Sequence, residues 1–260
     1  MKILVIGDHI HDVYIFHTAS RICPEAPVPV LVYEGEKMCD GGAGLVRNQL
    51  LVLIGGKDVE YFAGSYSTKE RIFADGHLVC RRDRDSHGAV DIRALERDVI
   101  KFLKKNKPDA IVASDYGKGT FTEGFANRLV QASKILDIPL FVDAKNHWSW
   151  YRGAFAFFPN EKEKLGFKPT KKEHVIQKLG AKGSMVDGHL IAGYRRDARD
   201  TTGAGDIYLA AFVVEYLQTK SLTMAALFGN FVAGASVEYV GTKVITPEII
   251  KMEREIWRNR

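Results

Sequence analysis

A chain of 260 residues with 46% hydrophobic and 27% charged residues has an ordinary globular composition and is long enough for one large α/β domain. Its net charge of +5, an excess of 37 basic over 32 acidic residues, is spread along the sequence, which argues against nucleic acid as a partner. No apolar run approaches the ~18 residues of a membrane helix and no signal-peptide pattern follows Met1. With only Cys23, Cys39 and Cys80, far apart and odd in number, the expectation is a cytoplasmic chain with no membrane partner.

Residues 2–7, Lys-Ile-Leu-Val-Ile-Gly, form a short apolar run that reads as a central parallel strand ending at Asp8. Ligands of open α/β sheets sit beyond such ends, so Asp8 and Asp12 are candidates for holding one; the plainer reading of Asp8 is a turn residue. His9 and His11 have chelating i, i+2 spacing on a strand, but no carboxylate–His–Cys set accompanies them in the sequence. Residues 19–33 include Pro24, Pro27 and Pro29, which exclude a helix or a central strand. They predict an extended edge ribbon outside the main sheet, suited to covering a site or pairing with a second chain.

Residues 40–54 are a Gly-rich turn running into a helix, with Gly41 and Gly42 placed to let a ligand approach the backbone. A second short strand is expected at Asp58–Ala63. Arg71–Phe73 and His77–Arg81 then form a hairpin about Asp75-Gly76, expected to pair with the proline-rich ribbon. Arg81, Arg82 and Arg84 read equally as phosphate ligands or as exposed edge charges. Residues 91–105 are an amphipathic helix with Asp91 as N-cap. Strands follow at Ala110–Ala113, Pro139–Val142 and Gly153–Phe158, with a helix at Phe125–Leu136. Polar clusters stand at the three strand ends: Ser114–Gly119, Asp143-Ala144-Lys145 and Pro159–Glu163. Lys171–Lys178 leads to a turn at Leu179–Gly183, and Met185–Ala192 is a hairpin about Asp187-Gly188.

The stretch Arg199-Asp-Thr-Thr-Gly-Ala-Gly-Asp206 opens a helix whose face carries Leu209, Phe212, Val213, Tyr216 and Leu217. A Gly203-Ala204-Gly205 turn there leaves backbone N–H groups unpaired, and with the helix dipole they make an anion site. Asp206 in the first turn is placed to accept a proton from an alcohol while those N–H groups hold charge on a transferring phosphoryl. The alternative is a Gly-rich turn whose Asp caps the helix. A helix near 222–239 contains Asn230, another starts at Thr246-Pro247, and residues 253–260 are polar apart from Trp257. No P-loop, no dinucleotide fingerprint after the first strand and no nucleophile elbow occur.

Residues 199–206 resemble the C-terminal signature of the ribokinase-like (PfkB) sugar kinases. That resemblance implies that Asp206 is the general base and that Gly203, Ala204 and Gly205 form the anion hole. Ser20-Arg21-Ile22 and Pro24–Val30 resemble the lid segment of the heptose-7-phosphate kinases within that family. Gly41-Gly42 are similar to the family's sugar-binding glycines, although Leu45 stands where Asn is usual. Ser114–Gly119 resembles the Ser-Asp-Tyr-x-Lys-Gly loop of the heptose kinases, which implies Asp115 and Lys118 at the substrate. Asp143-Ala144-Lys145 matches a strand-end signature of the group. Asn160-x-x-Glu163 resembles the motif that organises Mg²⁺ and phosphate, partly through water. Leu179–Gly183 is similar to the nucleotide-side turn, putting Lys182 and Gly183 there, with Lys178 where Thr is frequent. The helix with Asn230 would border adenine. The chain is shorter than the family after Ala63 and after Phe167.

What the resemblance implies is a three-layer α/β/α ribokinase-like fold over 1–260, with a mainly parallel sheet and a small β lid from about 12–39 and 68–84. It implies ATP and Mg²⁺ as cofactors and phosphorylation of a sugar or sugar-phosphate hydroxyl; the unpaired edges expected of the lid ribbons predict, in addition, a homodimer through the lid strands. A reduced homologue that binds nucleotide or sugar without efficient catalysis, or a kinase of a nucleoside or vitamin-like alcohol, are the alternatives.

Overall fold

Two strands run far past the apolar segments that announce them. β1 (Ile3–Thr18) and β3 (Val59–Ala74) have 16 residues each and lie parallel from Ile3↔Val59 to His17↔Ala74. Their first halves belong to the core sheet, where β1 also pairs with β5 (Ala110–Asp115) as far as Gly7↔Ser114. Their second halves leave the core and carry the segments expected as a lid, and are termed the lid. There β2 (Val32–Gly42) runs antiparallel to β1 from His9↔Gly42 to Thr18↔Val32, and β4 (His77–Ser86) folds back on β3. Asp8 is therefore not at a strand end, as the hydrophobic run suggested. It lies in mid-strand, where β1 exchanges β5 for β2. The polar continuation of β1 is held by backbone pairing on both sides, a force that leaves no hydrophobic trace in the sequence.

The hairpin about Asp75-Gly76 forms as expected, but it pairs with β1 and not with the proline-rich ribbon. Residues 19–31 make only the isolated bridge Ile22↔Pro29, since proline has no N–H for a ladder. The edge strand begins later, at β2.

From β5 the parallel sheet continues through β6 (Leu140–Ala144), β7 (Ala156–Phe157) and β8 (His174–Lys178). It closes with an antiparallel hairpin, β9 (Gly183–Val186) and β10 (His189–Ala192). The order across the sheet is β10-β9-β8-β7-β6-β5-β1-β3-β4. Alternating side chains divide the core. Ile3, Val5, Val112 and Phe141 pack under α1 (Ala43–Ile54), α4 (Ala204–Thr219) and α5 (Leu222–Ser236). Leu4, Ile6, Ile111 and Val142 pack under α2 (Ile92–Asn106) and α3 (Glu123–Leu136). Asp91 caps α2 by accepting from the N–H groups of Arg93 and Ala94.

α4 departs from the one-faced helix expected. Every residue from Asp206 to Val214 is buried, because α4 packs on the sheet below and against α1 and α5 around it. The structure, a computed structural model, describes residues 1–56, 58–86, 90–163, 165–194 and 196–258. The side chains of 253–258 and residues 259 and 260, and with them the polar tail, lie outside the described residues. Among the described residues no helix is long and apolar enough to cross a membrane.

The segment leading to α6 (Pro247–Arg258) is tied to α1 by one side chain. Gln49 is fully buried; its Nε2 donates to the Ile245 carbonyl at 2.8 Å and its Oε1 accepts from the Ile245 N–H at 2.7 Å. Gln49→Ala leaves both backbone groups buried without partners. It should cost about 2–4 kcal/mol, read as a lower urea midpoint at an unchanged m value.

Candidate active site

The first turn of α4 is shaped by Gly203, whose φ of 77° and ψ of −1° place the N-cap in the left-handed region. A Cβ there would clash with Leu45 Cδ2, so Leu45 fills the floor beneath the turn. The Ala204 N–H is taken by the Thr201 carbonyl at 3.3 Å. The following N–H groups of the turn precede the first possible intrahelical acceptors. Asp200 fixes the approach to the turn by accepting from the Thr202 and Gly241 N–H groups, each at 2.9 Å. Those hydrogen bonds outweigh its burial and hold its carboxyl below the usual range.

Asp206 is 2% exposed. It faces the Tyr116 hydroxyl, which donates to the carboxylate from 2.9 Å of both oxygens. Burial first, and then the neighbouring Asp143, push the Asp206 pKa up to about 7; Lys145, the Tyr116 hydrogen bond and Lys178 pull the other way. Asp143 is bonded through Oδ2 to the Lys178 ammonium. Among the described residues its Oδ1 is buried without a hydrogen bond, 4.0 Å from Lys145 Nζ. Lys145 in turn reaches Glu163 at 3.0 Å and lies over the Tyr116 ring, 5.0 Å from its centroid. Lys69 of the lid lies over the same ring at 5.5 Å.

Asp8, expected to reach a ligand, is fully buried and serves the loop after β5. Its oxygens accept from the N–H groups of Tyr116 (2.7 Å), Lys118 (3.1 Å) and Thr120 (3.1 Å) and from the Ser65 hydroxyl (2.6 Å). Asp115 is likewise turned into the protein, accepting from the Gly117 N–H at 2.9 Å and the Tyr151 hydroxyl at 2.8 Å. Burial raises its pKa to about 6. Lys118 reaches the lid strand β4 through Asp85 at 2.6 Å. Asp12 is paired with Arg71 of β3, and its second oxygen occupies the space that a Cβ on Gly41 would need. A Cβ on Gly42 would meet the Asp8 carbonyl and Ile10. The space these glycines open is thus filled by the chain itself. Of the lid arginines, Arg81 pairs with Asp83, and Arg82 and Arg84 both pair with Glu70, which accounts for all three as lid charges.

Asn160 and Glu163 close on each other. The Asn160 N–H and side-chain amide donate to Glu163 at 2.9 and 2.7 Å, and Asn160 Oδ1 accepts from the Lys162 and Glu163 N–H groups. A cleft of about 200 Å³ opens on Lys178, Ala204 and Gly205 at the head of α4, walled by Gly183, Tyr194, Tyr208 and Asn230. Gly183 and Asn230, expected on the nucleotide side, both line this cleft. Asn230 also donates to the Ile191 and Ala192 carbonyls and so fixes β10 against α5. Lys182 does not join the wall; its side chain is 74% exposed and pairs with Glu161. From the sequence, Asp143 and Lys145 were marked only as a strand-end signature, Lys178 only as a lysine able to pair with nucleotide phosphates, and Tyr116 was given no role of its own. A signal was present, since they end or immediately follow β5, β6 and β8, where open α/β sheets build their sites.

Residues 151–249 match the model of the pfkB family carbohydrate kinases. The chain is 31% identical over 305 aligned positions to the bifunctional protein HldE of Nitratiruptor sp., covering 98% of the chain and 65% of that protein. It is 28% identical to HldE of Geobacter metallireducens, covering 94% and 61%. It therefore spans less than two thirds of the length of these relatives. The alignments are also longer than the chain, so the relatives carry additional residues within the matched region. Among solved structures, phosphofructokinase-2 from Escherichia coli in complex with potassium superposes with a TM-score of 0.73 at 16% identity, over 100% of this chain and 99% of the other. Arabidopsis thaliana ribokinase complexed with ribose and ATP gives 0.69 at 15%, over 97% and 98%. With the sheet, the extended strands β1 and β3 and the Gly-Ala-Gly helix already described, the chain has the ribokinase-like fold, and its residues 151–249 match the pfkB family of carbohydrate kinases.

Proposed function

We propose that the protein transfers the γ-phosphoryl of ATP to a hydroxyl of a sugar or sugar phosphate of the heptose-7-phosphate type, with Asp206 as general base. The observation that carries this reading is the Asp206 carboxylate, shielded from water with a pKa of about 7, at the head of a helix that opens on a cleft. A base poised near neutrality takes a proton from an alcohol most effectively at physiological pH. The acceptor hydroxyl takes the place of the Tyr116 hydroxyl against Asp206. As its oxygen bonds to the γ-phosphorus, the bond to the bridging oxygen breaks, ADP leaves and the hydroxyl proton passes to Asp206. The free N–H groups at the head of α4 and the Lys178 ammonium hold charge on the phosphoryl. The heptose-type acceptor rests on the resemblance of the lid segment at 20–30 and the loop at 114–119.

For Mg²⁺, the oxygen set fits a hard cation that keeps several waters. Asp143 Oδ1 is buried without a hydrogen bond among the described residues, and Lys145, which reaches it at 4.0 Å, also reaches Glu163. Asp143 would hold the ion, with Glu163 through water, while Asn160 orients Glu163. The ion would neutralise charge on the nucleotide phosphates.

Two observations favour a second reading, a homologue that binds nucleotide or sugar with little turnover. Tyr116 covers both oxygens of the base, and Leu45 is buried under the anion turn. Calorimetry with ATP–Mg²⁺, together with ADP release over a panel of sugar phosphates, sugars and nucleosides, separates the two: binding with no ADP release for any acceptor overturns the kinase reading. A homodimer through the lid is also part of this proposal, supported by the exposed Val32, Tyr33 and Met38 on β2. Sedimentation at micromolar concentration should give a dimer that Met38→Lys converts to monomer.

Asp206→Asn should lower turnover by ~10²–10⁴-fold with ATP–Mg²⁺ affinity largely kept. The kcat/KM profile should fall with unit slope below about pH 7, where Asp206 becomes protonated. Tyr116→Phe removes a hydrogen bond that favours the carboxylate, so it should move this acid limb to higher pH. Asp143→Asn removes a like charge and should move the limb of the residual activity to lower pH. Shifts of the same sign in both variants would show that Asp206 does not set the limb.

A further inference from the structure

We infer that His9, His11 and Asp40 form a binding site for a divalent transition-metal ion of the zinc type at the root of the lid. In the sequence the two histidines lacked a third ligand, and the strand register supplies it. His9 and His11 alternate onto one face of β1, and the β1–β2 pairing sets Asp40 directly opposite His11. One donor atom from each of the three lies within 4.8 Å of the other two.

Two further features point to a cation and not to an ordinary polar cluster. His9 is 92% buried, its relative exposure being 8%, and among the described residues neither its Nε2 nor the buried His11 Nδ1 meets a partner in good hydrogen-bond geometry. His9 Nε2 nevertheless lies 3.2 Å from Asp40 Oδ1. Two ligands of a tetrahedral zinc ion, each about 2.0–2.1 Å from the metal, stand about 3.3 Å apart. The nitrogen and oxygen are thus spaced as two ligands facing a common centre.

The surroundings hold each ligand in place. His9 Nδ1 is 2.9 Å from the Tyr61 hydroxyl, and with the proton on Nδ1 the Nε2 lone pair is left for a metal. The second oxygen of Asp40 accepts from Asn48 Nδ2 of α1 at 2.7 Å. Tyr66 of β3 packs beside both imidazoles, with centroids 5.3 and 6.1 Å away. Imidazole nitrogens with one carboxylate suit Zn²⁺, Co²⁺ or Ni²⁺ over Mg²⁺, and three protein ligands leave a fourth position for water. His9 and His11 alternate with Asp8 and Asp12 along β1, so this site lies on the other face of the strand from those carboxylates. It is separate from Asp143 and Glu163 and does not depend on the kinase reading. A bound ion would join β1 to β2 where the lid leaves the core, with Asp40 held to α1 through Asn48.

The test is Zn²⁺ titration of the tag-free, chelator-stripped chain against a chromophoric competitor, with Co²⁺ as a spectroscopic probe. One equivalent should bind with sub-micromolar Kd, and Co²⁺ should give the intense visible band of a four-coordinate site. His11→Ala and Asp40→Asn should each weaken Zn²⁺ by at least ~10-fold, Tyr61→Phe should weaken it less, and Cys39→Ser should leave it unchanged. Less than half an equivalent bound, or the same affinity in wild type, His11→Ala and Asp40→Asn, overturns the site. Circular dichroism of each variant before titration, with Asp40→Asn as the smaller perturbation, keeps the comparison among folded chains.

Discussion

The carboxylate of Asp8 is the joint on which the site depends. It has no exposure and accepts four hydrogen bonds, three of them from backbone N–H groups of the 116–120 loop and one from Ser65 of β3. A buried carboxylate without such partners would be strongly disfavoured, so the loop must close around it. Closing the loop puts Tyr116 over Asp206 and Lys118 against the lid. One charge in mid-strand therefore links the core sheet, the lid and the head of α4.

The electrostatics of the cleft follow from that closure. Asp206 and Asp143 are two carboxylates in one buried space, and Lys145 and Lys178 are the counter-charges that make this tolerable. Lys145 is itself kept protonated, because Asp143 and Glu163 outweigh its burial. Removing water strengthens each of these interactions and raises the proton affinity of Asp206 toward neutrality. The same enclosure that makes Asp206 a poised base also requires a partner for it, and Tyr116 fills that position.

The lid shows a different economy. β1 and β3 extend from the core without interruption, so the lid needs no hinge of its own and is positioned by backbone ladders. Its charged residues are largely satisfied among themselves, through Arg71 with Asp12 and Arg82 and Arg84 with Glu70. On the other face of β1 the same register gathers His9, His11 and Asp40, a cluster with its own chemistry.

The order and type of the core elements were legible in the sequence, because short apolar runs, helical periodicity and Asp91 before α2 are local signals that burial and capping act on directly. The Gly203–Gly205 turn opening a helix with Asp206 in its first turn was legible for the same reason: its geometry is set within a few residues. Tertiary structure alone decided the length of β1 and β3, since backbone pairing between distant segments has no composition. It decided that Asp8 and Asp115 hold the chain while Tyr116, Asp143, Lys145 and Lys178 surround Asp206. It also decided that Asp40 stands beside His9 and His11. The use of a polar side chain depends on which partners the fold brings within hydrogen-bonding distance, and that is a property of register and closure, not of local sequence.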